Sequence, residues 1–179
     1  MINEDLISAH DGTNFEIVKE TLTSIEDGET QYVISHLKYK ADVLHKYYNS
    51  EYSAKVKVGD CSDCGFKASL FDGVTWGDVL VLGLGLGVVP QYIKDNKSPS
   101  SVDVVEEDAE IVSTVDWLHS DINVITHDEW SYDTSKKYDI IIADLWAEPD
   151  DVSEDHKTAL ENNYSNNLKT DGKLIIPML

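Results

Sequence analysis

From residue 77 onward, apolar runs alternate with stretches of helical spacing. "DVLVL" at 78–82, between Gly77 and Gly83, is a continuous apolar run and reads as a buried strand. "VVPQYIKDN" at 88–96 follows as a helix. "SVDVVE" (101–106) is a second strand. "DAEIVSTVDWLHS" (108–120) carries Ile111, Val112, Val115 and Leu118 at helical spacing. "INVIT" (122–126) and "YDIIIADL" (138–145) are strands three and four; the last is the most β-branched, as expected for a central strand covered on both faces. The stretch 153–170 reads as a helix opened by Ser153, with His156 where a capping box would carry Glu. "GKLIIP" (172–177) is the fifth strand, introduced by an Asp-Gly turn. Strands alternating with helices imply a parallel α/β sheet.

Before Trp76 the period is two. "NFEIVKETLTSI" and "TQYVISHL" flank "EDGE", the pattern of a β-hairpin. A short helix is expected over 40–50, and half-exposed strands over 53–59 and 66–71 around "GDCSDCGF". The chain therefore divides into a small β-rich N-terminal extension (1–76) packed on an α/β domain (77–179). At 179 residues it has room for one domain of ordinary size with a real core.

Charge narrows the function classes. Thirty-four acidic residues face fourteen lysines, and arginine is absent. Such a surface repels phosphate backbones and lacks the planar fork that reads guanine, so no nucleic-acid partner is expected unless the acidity is confined to one face. The acidity serves solubility or reflects a salty habitat more simply than it steers a cation. The longest apolar run is too short to span a bilayer, and "MINEDLISAHDG" has no basic or long apolar region, so a cytoplasmic protein without membrane contact is expected. Cys61 and Cys64 form a single C-x-x-C; with no second pair, two reduced thiols in a hairpin loop and no metal site are expected.

The glycines of "GLGLG" carry the chemistry. A phosphate-binding P-loop needs Gly-Lys-Ser/Thr, and Val88 follows Gly87. A G-x-G-x-x-G dinucleotide fingerprint would need glycine at 88. What remains is G-x-G-x-G at Gly83, Gly85 and Gly87, a tight turn that brings bare main chain close to a ligand. The following strands end in "VEED", "THDEW" and "IIADLW", which puts Glu106, Glu107, Asp108, Asp128, Glu129 and Asp144 at the carboxyl ends where open α/β sheets bind ligands. These acids would repel a pyrophosphate and suit a ligand with a cationic sulfur and an ammonium group. Three of them have plainer alternatives: a solvated strand end for Glu106, a loop start for Asp128, a loop cap for Asp144.

With those motifs in order, residues 77–176 resemble the core of class I S-adenosylmethionine-dependent methyltransferases. Within that superfamily they are most similar to the spermidine synthase branch, whose "VLIIGGG"-like and "VEID"-like motifs correspond to "VLVLGLG" and "VEED" here. The resemblance implies a Rossmann-like, mainly parallel sheet of order 3-2-1-4-5 and S-adenosylmethionine as cofactor. Gly83, Leu84, Gly85 and Gly87 would wrap its methionine and ribose portions. Glu106 would take the ribose hydroxyls and Asp128 the adenine amino group, with Glu107 and Glu129 beside them. Asp144 would lie near the sulfonium and orient or deprotonate the acceptor as the catalytic residue.

Three positions depart from the branch: Leu86 replaces an acid, Glu107 replaces an apolar residue, and "DLWAEPDD" replaces a "D-S-S-D-P"-like run. The usual C-terminal β-hairpin is also lacking after "KLIIPML", so the edge of strand five is expected to be covered by N-terminal strands or by a second subunit of a homo-oligomer. The implied activity is most simply methyl transfer to a small-molecule acceptor, with a cationic one included. A spermidine synthase-like aminopropyltransferase and a catalytically silent S-adenosylmethionine-binding or scaffold subunit are the alternatives.

Overall fold

The computed structural model describes residues 7–13, 15–23, 31–39, 58–61, 74–145 and 152–176. Five parallel strands form one sheet: β5 (Asp78–Leu82), β6 (Ser101–Glu106), β7 (Ile122–Thr126), β8 (Tyr138–Ala143) and β9 (Leu168–Ile175). Their order is β7-β6-β5-β8-β9, which leaves β5 central and β8 interior beside it. The connecting helices are α1 (Val88–Asn96), α2 (Ala109–Thr114) and α3 (Glu154–Tyr164).

Both faces of the sheet are covered, which is why its strands read as unbroken apolar runs rather than as alternation. On one face Val79, Val81, Val102, Val104, Ile140 and Ile142 pack under α1 and α2. On the other, Leu80, Leu82, Val105, Ile141 and Ala143 pack against Leu160 and Tyr164 of α3. All four apolar side chains of β5 after Asp78 are fully buried, each worth about 1.5–3 kcal/mol relative to exposure.

Among the described residues, four N-terminal strands form a second, antiparallel sheet in the order β1-β2-β3-β4: His10–Asp11, Phe15–Thr23, Gln31–Tyr39 and Val58–Cys61. The expected hairpin is the β2–β3 pair, in register from Phe15 opposite Tyr39 to Thr23 opposite Gln31. Alternate residues of this sheet, Phe15, Ile17 and Leu37, join the core on the α1 and α2 face. Glu110 of α2 clasps the approach, accepting from the Thr13 amide at 2.6 Å and lying 3.4 Å from His10 Nε2. The described N-terminal strands pair with one another and not with β9.

Four expectations are corrected. The helix expected over 108–120 stops at Thr114, because the next residues serve the glycine turn: Trp117 Nε1 donates to the Leu86 carbonyl at 3.1 Å and Leu118 lies against Gly87. The helix expected over 153–170 ends at Tyr164 and the fifth strand takes over at Leu168 rather than 172, so that the Asp-Gly pair is an irregularity inside the strand; Asp171 has φ 65 while the register jumps from Leu168 to Lys173. Cys61 is the last residue of β4, directly opposite His36, and not part of a loop. Cys64, the expected helix at 40–50, residues 53–57 of the strand expected over 53–59 and the strand at 66–71 lie outside the described residues.

The amino end of the parallel sheet is tied by lysines. Lys169 of β9 bridges Asp78 at 2.7 Å and Asp139 at 2.8 Å. Ser101 donates to Asp78, and Lys136 donates to both Ser101 and Asp103 at 2.8 Å. Asp103 also accepts from Tyr138 Oη at 2.9 Å and from Asn123 Nδ2 at 3.0 Å. Burial works against its charge, but these hydrogen bonds outweigh it and hold the carboxyl below its usual range. The Lys169 hydrogen bonds do the same for Asp78 and Asp139.

Candidate functional site

The site is built at the opposite, carboxyl end. As β5 ends, the Gly83 amide donates to the Val105 carbonyl and the Asp144 amide to the Leu82 carbonyl, both at 2.8 Å, which draws β6 and β8 to the glycine turn. Gly83 has φ 91, and a Cβ there would meet the Asp144 carbonyl oxygen; no other residue type fits without strain. Gly87 opens α1 from the left-handed region, φ 76, and a Cβ there would come within 2.5 Å of Leu118. Between them, Gly85 is half-exposed while the side chains of Leu84 and Leu86 turn into the core. Leu84 therefore offers the site its main chain and not its side chain.

Glu106 ends β6 and is 6% exposed. Its Oε2 accepts the Leu84 amide at 3.0 Å, so the acid and the glycine turn are in direct contact as the sequence spacing implies. Its Oε1 accepts the Asp108 amide at 2.9 Å. Burial, opposed by these amides, raises the Glu106 carboxyl above its ordinary range. The Gly85 amide also bonds to the carboxylate, so the acceptor capacity left by three amides is what remains for a ligand. Asp108 caps α2 by accepting the Glu110 amide at 2.8 Å.

The acids after β7 separate sharply. Asp128 is exposed, and its oxygens close a local turn by accepting from the Trp130 amide at 2.9 Å and the Ser131 hydroxyl at 2.8 Å. Glu129 is 5% exposed and reaches back to β6, where its Oε1 accepts the Glu107 amide at 2.9 Å. Burial, reinforced by the Glu106 carboxylate, pushes the Glu129 carboxyl up to about 8. Carboxyl oxygens of Glu107, Asp128 and Glu129 converge within 4.8 Å of one another, which sets the buried Glu129 among acidic neighbours.

Asp144 is half-buried and adjoins Gly83 through its main chain. The fold thus gathers Gly83–Gly87, Glu106, Glu107, Asp128, Glu129 and Asp144 at neighbouring strand ends. Several supporting residues are not marked by the motifs. The Tyr164 hydroxyl donates to the Glu129 carbonyl, and Asn163 Nδ2 donates to the Trp130 carbonyl at 2.7 Å. The Trp130 and His156 rings lie 5.7 Å apart. The Leu160–Tyr164 spacing of four was the available signal for Tyr164 as an inward-facing residue of α3.

The chemistry of this donor set can be tested against S-adenosylmethionine. Strand ends 83–87, 106–109, 127–132 and 144–145 contain no lysine. Acids and main-chain amides of this kind suit a neutral nucleoside bearing a cationic sulfur, and disfavour phosphates.

No protein-family model matches the chain, and no curated protein is significantly similar to it. Among solved structures it is similar to an S-adenosylmethionine-dependent methyltransferase from Clostridium acetobutylicum, with 19% identity and a TM-score of 0.46 over 57% of this chain and 43% of that one. It is also similar to a TehB-like SAM-dependent methyltransferase from Corynebacterium glutamicum, with 20% identity and a TM-score of 0.46 over 60% of this chain and 59% of that one. A third is CalS10, an amino pentose methyltransferase from Micromonospora echinaspora solved with SAM bound, with 15% identity and a TM-score of 0.47 over 56% of this chain and 42% of that one. The similarity spans less than two thirds of each of those chains. No helix among the described residues is long and apolar enough to cross a membrane.

Proposed function

We propose that the carboxyl end of the parallel sheet binds S-adenosylmethionine and that the protein transfers its methyl group to a small-molecule acceptor. The observation that carries this reading is the meeting of Glu106 with the Leu84 amide, which sets a ribose-competent carboxylate against bare glycine main chain. The lysine-free, acid-rich strand ends support a sulfonium ligand over a dinucleotide.

In this reading Gly83–Gly87 let the methionine portion approach the main chain, and Glu106 accepts the ribose hydroxyls through the lone pairs that its amide bonds leave. Asp128 takes the adenine amino group by opening its local turn. The bound cofactor supplies an electrophilic methyl group on sulfur, and the protein's share of catalysis is orientation. Asp144, at the end of β8, orients the acceptor or receives its proton.

Calorimetry with S-adenosylmethionine, its demethylated thioether product and its decarboxylated analogue tests the reading. Binding of the first two, with methyl transfer to an acceptor panel, supports it. Preference for the decarboxylated analogue favours aminopropyl transfer and the resemblance to the spermidine synthase branch. Binding without turnover favours a silent subunit, and no binding of any of the three removes the reading.

A further inference from the structure

Glu106 and Glu129 are taken almost wholly out of water at the same strand ends, at 6% and 5% exposure. They hold adjacent amides of one short segment: Glu129 receives Glu107 N–H and Glu106 receives Asp108 N–H. Two buried carboxylates that hold neighbouring amides strongly oppose double ionisation. The groups facing Glu129 do little to relieve them. Glu106 and Glu107 of the β6 tip, Asp128 of its own loop and Tyr164 of α3 lie against it; Asp108 lies against Glu106, His127 against Tyr132, and His156 against Trp130. Residues 104–132 contain no lysine.

We propose that Glu129 is a positioning residue that retains a proton beside Glu106, so that the pair presents one negative charge and nucleoside binding is coupled to that proton. This rests on the nucleoside-binding reading of the cleft. The retained proton leaves Glu106 as the ionised member, which is the better acceptor for ribose hydroxyls. It also spares the site a second charge at the moment a ligand excludes water. The raised carboxyl of Glu129 agrees with this arrangement. Loss of the proton then weakens a neutral nucleoside thioether by about tenfold per pH unit above the titration. A sulfonium ligand, carrying a compensating positive charge, shows a shallower fall.

The test uses 5′-methylthioadenosine, a nucleoside thioether with no group of its own that ionises in this range, as probe, titrated calorimetrically between pH 6.5 and 9.5 in two buffers of unlike ionisation enthalpy. The wild-type protein should lose affinity about tenfold per unit above pH 8, with uptake of nearly one proton on binding at pH 9. Glu129→Gln, which cannot ionise, should lose that slope, and Glu129→Asp should restore a slope with a shifted midpoint. A merely structural Glu129 would change the affinity at every pH and leave the slope in place. An equal slope in wild type and Glu129→Gln overturns the proposal, as does pH-independent binding in wild type.

Carboxyl NMR of the ligand-free wild-type protein gives a second measurement that does not depend on the variants or on the ligand. A Glu129 midpoint between 7 and 9 is expected, and a midpoint in the ordinary carboxylate range overturns the retained proton. A high midpoint in a protein that binds no nucleoside at any pH overturns the nucleoside reading and the coupling to it, while supporting the proton shared by the pair.

Discussion

The two ends of the parallel sheet use the same acidic residues in opposite ways. At the amino end Asp78, Asp103 and Asp139 have lysines or hydrogen-bonding side chains against them, and their carboxyls are pulled down. At the carboxyl end Glu106 and Glu129 are held by main-chain amides beside one another, and their carboxyls are pushed up. A folded protein keeps acids in the second condition at a cost in stability, which is why perturbed groups gather where ligands bind. One end therefore reads as a fastening and the other as a site.

The largest test of this contrast is the dependence of stability on pH. For Glu129, raised from an ordinary 4.5 to about 8, the stabilising contribution is complete below pH 4.5 and is lost as pH climbs through 8. The loss amounts to about 4–5 kcal/mol at 1.36 kcal/mol per unit. Asp78, Asp103 and Asp139 act with the opposite sign, stabilising above their usual values near 3.8 and losing that contribution as pH falls through their lowered ones. Urea unfolding from pH 3 to 9 should show both limbs, and Glu129→Gln should flatten only the upper one. Equal upper limbs in the two proteins would contradict the assignment.

Asp103→Ala attacks the fastening. It leaves the buried Tyr138 hydroxyl without its acceptor and removes the charged partner of Lys136, for a loss of about 3 kcal/mol in urea unfolding. Where the variant is folded, nucleoside affinity should be unchanged; a parallel loss of affinity would mean that the two ends are coupled. Gly83→Ala should cost about 2–3 kcal/mol, from positive φ together with contact against the Asp144 carbonyl. That loss should appear in thermal unfolding and should be accompanied by loss of ligand binding.

Glu106→Ala separates stability from binding at the site itself. It should weaken nucleoside binding by about 1–3 kcal/mol, the range for a lost hydrogen bond to a charged group, as read by calorimetry. Unchanged affinity would remove the ribose role. The smallest effect is expected from Ser153→Ala, remote from both sets of acids. Ser153 accepts the His156 amide at 3.2 Å and His156 Nδ1 faces the Ser153 amide at 3.3 Å, so loss of this cap should cost about 1 kcal/mol and leave binding alone.

Much of this was legible in the residues because it is local. The strands at 78–82, 101–106 and 122–126 occupy the lengths that their apolar runs mark, and α1 covers "VVPQYIKDN" without a residue to spare. The unusual Ser-His cap also stands where the pattern of the helix start puts it. The early end of α2 shows what a local pattern misses. Val115 and Leu118 keep helical spacing, yet α2 ends at Thr114 because Trp117 and Leu118 find better partners on the glycine turn. Spacing along the chain is blind to a partner thirty residues away.

The sequence by itself determined the covered sheet, the glycine turn and the row of acids at successive strand ends, since apolar runs, positive φ at glycine and strand length are properties of neighbouring residues. Only the tertiary structure decided what each acid does. It buried Glu129 and left its neighbour Asp128 exposed, and it set Lys169 between two aspartates ninety-one and thirty residues away in sequence. Those outcomes depend on which strands lie side by side and on how much water reaches each carboxylate, and neither quantity is written in a local pattern.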